Sequence, residues 1–177
     1  DENKFKKLYP MSLRPQAHDI IRTWAFYTIL RCSLLTGEKP FENMMMGGFI
    51  LSEDGTPMHA SLGNVIDPLE VIEKYGSDAF RCYAASCALG EDNPFRTKDV
   101  VRGVKLLTKI WNVQQFIVNV LKDEKPKQTT LIDIDKWILT KYSKLVKNCK
   151  EQMENFGYSQ TMKEIEYFLW HELADHY

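Results

Sequence analysis

No run of about eighteen apolar residues occurs in the 177-residue chain, which excludes a membrane-spanning helix. No C-x-x-C pair occurs either. The four cysteines are Cys32, Cys82, Cys87 and Cys149, and Cys82 and Cys87 are too loosely spaced for a zinc knuckle. They read as free thiols of a reducing cytosol, so no metal site and no structural zinc is expected in this segment. Internal repeats and low-complexity tracts are missing, which excludes solenoid and fibrous arrays. The start, "DENKFKKLYP", has no apolar core of a signal peptide, and a cytoplasmic location is expected. It also has no initiator Met, and "FLWHELADHY" stops inside an amphipathic pattern, so the chain is expected to be an internal piece of a longer one.

What is present is ordinary for a globular protein: 44% apolar and 27% charged residues, enough for one domain or one and a half. The formal net charge of −1 hides a division. Residues 1–95 carry 9 basic and 13 acidic groups, residues 96–150 carry 13 and 5, and residues 151–177 carry 1 and 6. The central +8 block is where a polyanion would be held, or it is a solvated lysine face on long helices.

Periodicity divides the chain in the same way. "RPQAHDIIRTWAFYTILRCSLLTG" reads as a loop and then a helix, starting near Gln16 to Asp19 and stopped by Gly37, with Ile20, Trp24, Tyr27 and Leu30 or Cys32 at helical spacing. "FENMMMGGFILSEDG" reads as a short strand or hairpin with Asp54-Gly55 as its turn. Asp67-Pro68 is an N-cap with proline at N1, predicting a helix over 68–75 stopped by Gly76, and Ser77 is expected to cap another over 78–88. "GEDNPFRTKD" reads as a connecting loop. Beyond it, Val100, Val104, Leu107, Trp111, Ile117 and Val120 mark one long helix. A polar run over 122–130 reads as a linker. Ile134, Ile138, Tyr142, Leu145, Cys149, Met153 and Phe156 mark a second helix, and Met162, Ile165, Leu169 and Leu173 a third. The expected class is α/β followed by all-α.

Three features carry possible chemistry. "QAHD" opens a helix, where free N–H groups and an acceptor carboxylate suit a ribose and phosphate; Asp19 equally suits a plain helix cap. "PMHASLGN" is a loop whose backbone N–H groups can face phosphates, or a surface turn. Trp24 lines a pocket or fills a core.

Their order is familiar. "RPQAHDIIRTW", then "GGFILSEDGTPMHASLGNVIDPLEVIEKYGSDAFRCYAAS", resembles the class I aminoacyl-tRNA synthetases, and among them the valyl-tRNA synthetase family of archaeal type, whose members carry "LRPQAH" and "LGED-PF". "WNVQQFIVNV", "DKWIL" and "FLWHELADHY" resemble the start of that family's helical anticodon-binding domain. The resemblance covers nearly the whole chain. It implies the second half of a Rossmann-type nucleotide-binding fold over 1–64, a stem-contact segment over 65–100, and the first part of the anticodon-binding domain over 101–177. It implies a ligase that activates valine with ATP, as its Mg²⁺ complex, and transfers it to tRNA(Val); neither DNA nor a membrane is an expected partner. Asp19, with the backbone of Ala17 and His18, would hold the adenosine ribose. Trp24 would line the amino-acid pocket. Arg102, Lys105, Lys109, Lys141, Lys144 and Lys147 would be candidate tRNA contacts through phosphates.

The resemblance also exposes a departure. "PMHAS" falls on the family's K-M-S-K-S loop, whose lysines stabilise charge developing on the leaving pyrophosphate. Pro57 stands at the first lysine, Met58 at the methionine, His59 at the first serine, Ala60 at the second lysine and Ser61 at the last serine. Both lysines are gone. Three explanations stand open: His59 supplies some charge, a basic group elsewhere or Mg²⁺ compensates, or the protein is a synthetase-like paralogue that binds RNA without activating an amino acid. A nucleotidyltransferase of the same superfold is a further alternative, though it would not need the helical bundle. The family's H-I-G-H motif and editing insertion are not in these residues, so the 177 residues alone are expected not to aminoacylate.

Overall fold

The computed structural model describes residues 2–122 and 130–177, so the expected linker over 122–130 lies almost wholly outside the described residues. The chain divides into two units, Asp1–Met58 with Leu89–Pro94, and His59–Ala88 with Phe95–Tyr177.

The first unit is the α/β part. Helix α1 (Glu2–Leu8) precedes strand β1 (Met11–Ala17), and β2 (Phe41–Gly47) pairs with it in parallel, Leu13 opposite Asn43 and Pro15 opposite Met45. The stretch read as a loop before the first helix is therefore a strand. Its "MSLRPQA" composition hid this, because Pro15 removes a ladder donor and the apolar alternation is weak. A parallel pair needs a crossover, and the chain supplies it as a one-turn 3₁₀ segment (His18–Ile20), a π-helical turn (Ile21–Ala25) and helix α2 (Phe26–Thr36). Gly37, at φ 75°, ends α2 as the sequence predicted. Helix α2 has no buried residue, so the helical spacing read from Ile20 to Cys32 does not mark a buried face. Ala25 is buried, whereas Trp24, Tyr27 and Leu30 are exposed.

Of the short strand or hairpin expected in "FENMMMGGFILSEDG", the strand forms, as β2, and the hairpin does not. Asp54-Gly55 does form a turn, with Gly55 at φ 83° and Gly55 N–H donating to Ser52 O. However, β3 (Ile50–Leu51) pairs in parallel with β4 (Asn93–Pro94), and the turn's return arm contributes only a bridge from Pro57 to Leu51. The loop read in "GEDNPF" thus contains a strand.

The second unit is helical. Helix α3 (Pro68–Tyr75) has the predicted bounds, and the Asp67 carboxylate accepts from Leu69 N–H at 2.8 Å. Asp67→Ala removes that cap and is expected to cost about 1 kcal/mol, read by urea denaturation. Helix α4 (Ser77–Ser86) starts a residue earlier than expected. Gly76 occupies its cap position with no side-chain cap bond, so Ser77 is the first helical residue and not the cap. Helix α5 (Thr97–Leu121) packs on α4 through Gly103, where a Cβ would meet Ala79 O at 2.8 Å. Val100, Leu106, Ala79, Tyr83 and Phe95 fill the space around that contact, and Tyr83 meets Phe95 edge-on at 5.2 Å. Helix α6 (Asp133–Glu154) ends before Phe156, which turns the chain at φ 59° into α7 (Tyr158–Tyr167). A π turn (Phe168–Leu173) and a short α8 (Ala174–His176) continue α7. The described residues contain no helix long and apolar enough to cross a membrane.

Candidate functional site

In the first unit the site grows from the end of β1. Ala17 is the residue before the 3₁₀ turn, with extended backbone, and makes no side-chain cap bond. Asp19 does not cap the helix: it is exposed, at the second position of that turn, and its carboxylate has no partner among the described residues. The π turn then carries Trp24, 44% exposed, with its carbonyl held by Thr28 Oγ1 at 2.7 Å. Trp24 is therefore not core. The Arg14 guanidinium lies 3.8 Å from the centroid of its ring.

His18 turns another way. Its Nε2 is 3.0 Å from Asp92 Oδ1, and its ring meets Phe49 edge-on at 4.7 Å. The same Asp92 oxygen accepts Phe49 N–H at 2.7 Å. One carboxylate thus ties the end of β1, the approach to β3 and the segment leading to β4. Asp92 was not singled out in the sequence, although "GED-PF" contained it. Its partners, Phe49 N–H and the His18 ring, lie far from it in the sequence.

The lysine-free loop begins on a stiff base. Ser52 Oγ lies 2.6 Å from Asp54 Oδ1, and that oxygen also accepts Thr56 N–H and Thr56 Oγ1. Hydrogen bonds from Ser52 and then Thr56 hold the Asp54 carboxyl below the usual carboxylate range. Pro57 and Met58 end the first unit. In the second unit, His59 N–H donates to Asn64 Oδ1 at 2.8 Å, Ala60–Leu62 form a 3₁₀ turn, and Gly63, at φ 65°, closes it. Leu62 N–H and Gly63 N–H donate back to His59 O and Ala60 O. Three of the loop's backbone donors are therefore spent within the loop. Ala60 N–H, Ser61 N–H and Ser61 Oγ have no protein partner among the described residues, and His59, Ala60 and Ser61 are exposed.

The basic helices of the second unit are partly neutralised. Arg102 Nε donates to Glu166 Oε1 at 2.6 Å, and Lys141 Nζ to Glu172 Oε1 at 2.9 Å. Lys109 Nζ lies 5.0 Å from the Trp170 ring, a cation–π contact. Lys105, Lys144 and Lys147 are exposed or nearly so, with no ion pair among the described residues. Lys144 overlooks a groove shared by α6 and α7, in which Glu164 accepts amide hydrogens from Gln152 at 2.5 Å and from Gln160 and Asn148 at 3.4 Å. The Gln152 bond first, then those of Gln160 and Asn148 and the charge of Lys144, hold the Glu164 carboxyl below its ordinary 4.5. A depressed folded value contributes stability that is complete above the unfolded value and is lost as pH falls through the folded one. Acid unfolding of the helical unit is expected to steepen below about pH 4.5. Glu164→Gln is expected to flatten that limb, as followed by circular dichroism.

The geometry fits a known class. The model of the family described as tRNA synthetases class I (I, L, M and V) matches residues 1–96, and that of the anticodon-binding domain of tRNA ligase matches residues 135–177. The chain belongs to the class I tRNA synthetase family. It is 44% identical over 99% of its length to a valine–tRNA ligase of Methanothermobacter thermautotrophicus, and 43% identical over 98% to one of Pyrococcus horikoshii. It spans about a fifth of each, 20%. Its fold matches Mycobacterium tuberculosis methionyl-tRNA synthetase in complex with methionyl-adenylate, with TM-score 0.81 at 21% identity over 94% of this chain and 34% of that one. It also matches an Agrobacterium radiobacter LeuRS in a ternary complex with tRNA and LeuAMS, with TM-score 0.78 at 18% identity over 92% of this chain and 22% of that one. The α/β-then-helical order expected from the sequence is the order found.

Proposed function

We propose that the chain is part of a cytoplasmic valine–tRNA ligase, carrying the second half of the nucleotide-binding fold (1–64), a stem-contact segment (65–100) and the start of the anticodon-binding domain (101–177). A valine carboxylate oxygen attacks the α-phosphorus of ATP, the bond to the bridging oxygen breaks, and pyrophosphate leaves. A terminal ribose hydroxyl of tRNA(Val) then attacks the carbonyl of valyl-adenylate, and AMP leaves.

In this reading the Asp19 carboxylate accepts hydrogen bonds from the adenosine ribose, and the backbone of Ala17 and His18 abuts the nucleoside. Trp24 walls the pocket for the valine side chain. A flat apolar wall separates valine from its near-isosteres only modestly, by roughly 1–3 kcal/mol per methylene. Pro57, Met58, His59, Ala60 and Ser61 face the triphosphate with the backbone donors of Ala60 and Ser61 and the Ser61 hydroxyl. ATP would be bound as its Mg²⁺ complex, which would supply charge neutralisation on the phosphates that no loop lysine offers. Arg102, Lys105, Lys109, Lys141, Lys144 and Lys147 contact tRNA phosphates, with Lys105, Lys144 and Lys147 the most available. Binding then weakens with salt.

The observation that carries the proposal is the uncommitted Asp19 carboxylate at a strand end, with an exposed indole one π turn further on. The test is ATP–pyrophosphate exchange by the longer polypeptide that contains these residues, with valine, isoleucine, leucine and threonine in turn. Valine-dependent exchange is expected. A folded protein that binds tRNA yet exchanges with none of them would favour the second reading, a non-catalytic tRNA-binding paralogue. The lysine-free loop and its internally spent donors support that reading.

A further inference from the structure

Arg14 is the least explained charge in the first unit. It lies on β1, its backbone fixed by the ladder opposite Met44. Its Nε is buried and has no hydrogen-bond partner, so no carboxylate or carbonyl accounts for where that end of the guanidinium sits. Two residues on, on the same face of the strand, both polar atoms of the Gln16 side chain are buried and unpartnered as well. Leaving such groups unsatisfied is costly, so a compensating contact is called for. For Arg14 the contact is the Trp24 ring, 3.8 Å from Cζ to centroid, a stacking distance for a planar cation on an aromatic face. The Trp24 backbone carbonyl accepts the Thr28 hydroxyl at 2.7 Å.

We propose that Arg14 is a positioning and specificity-determining residue, which covers one face of the Trp24 indole and leaves the opposite face to receive the side chain of the amino-acid substrate. An indole has two faces. With a guanidinium on one, an incoming group packs on the other, and the 44% exposure of Trp24 leaves room for it. The cation behind the ring has two consequences. It clamps the plane of the wall, which a branched aliphatic side chain needs for close packing. It also repels a cationic side chain on the far face, so lysine-like amino acids are excluded by charge as well as by size. This rests on the proposed reading of Trp24 as a pocket wall; the positioning part does not.

The test has two arms. In the longer polypeptide labelled with 5-fluorotryptophan, ¹⁹F NMR resolves the tryptophans, and Trp24→Phe assigns the Trp24 resonance. Arg14→Ala is expected to shift and broaden that resonance while the others hold, and Arg14→Lys, which keeps the charge without the planar stack, is expected to fall between. A Trp24 resonance unmoved by Arg14→Ala overturns the clamp. In the longer polypeptide, Arg14→Ala is expected to raise KM for valine about tenfold in ATP–pyrophosphate exchange with KM for ATP within about twofold, and Arg14→Lys to recover part of the loss. Equal changes in both KM values, or none, overturn the specificity role. If the unaltered polypeptide shows no amino-acid-dependent exchange, the pocket reading falls and takes the specificity role with it. The NMR arm still decides whether Arg14 holds Trp24.

Discussion

Gly48→Ala is expected to destabilise the first unit by roughly 2–3 kcal/mol, within the range for forcing atoms into filled space. The reason is contact, not backbone conformation: a Cβ at Gly48 would overlap the carbonyl of Glu91, and backbone cannot swing aside as a flexible side chain can. Relief would require the 89–94 segment to move away. That would pull Asp92 from both Phe49 N–H and the His18 ring and strain the β3–β4 pairing. The neighbouring glycine supplies the control. A Cβ at Gly47 would meet only Gln16 O, at an ordinary 3.8 Å, so Gly47→Ala should cost much less. Urea unfolding of the two variants checks this. Equal, small losses would show that the 89–94 segment yields freely.

Ala60→Lys is expected to raise valine-dependent ATP–pyrophosphate exchange by roughly tenfold to a hundredfold, with little change in KM for valine. Charge placed where negative charge develops on a leaving group is commonly worth this much. The substitution should fold without strain, since Ala60 is an exposed residue opening a 3₁₀ turn. It also meets a shortage: His59 N–H is committed to Asn64, and Leu62 and Gly63 N–H to their own loop. Leu62→Lys, on another exposed side chain of the same turn, is the control for added charge alone and should give a far smaller gain. If the two substitutions behave alike, or Ala60→Lys has no effect in an active polypeptide, the position does not face the reacting phosphates.

Much of the helical part was legible. Asp67-Pro68 and Gly76 marked α3 to the residue because a side-chain cap, an N1 proline and a glycine stop are local devices. Long helices α5 and α6 announced themselves through sustained periodicity. Of the strands only β2 did, inside the stretch read as a short strand or hairpin. β1 contains Pro15 and reads as loop, and β3 and β4 are two residues each, too short for any alternation to register. Their partners lie far along the chain, and parallel pairing leaves no turn signal between them. Ser77 and Asp19 looked like helix caps because their residue types suit one, yet Gly76 and Ala17 hold those positions.

The candidate site divides in the same way. Ordered residue types alone set out its parts: the segment from Ala17 to Trp24, the loop from Pro57 to Ser61 without its lysines, and a basic block over 96–150. The kinship with class I synthetases was readable from that order, because motif spacing survives in one dimension. Tertiary structure decided which groups are available. It left Asp19 free, gave His18 to Asp92, laid Arg14 on Trp24, spent three loop amides on the loop itself, and paired Arg102 and Lys141 with glutamates. Residue type fixes what a side chain can donate or accept. Whether that capacity is still unspent depends on neighbours tens of residues away, which only the folded chain brings within reach.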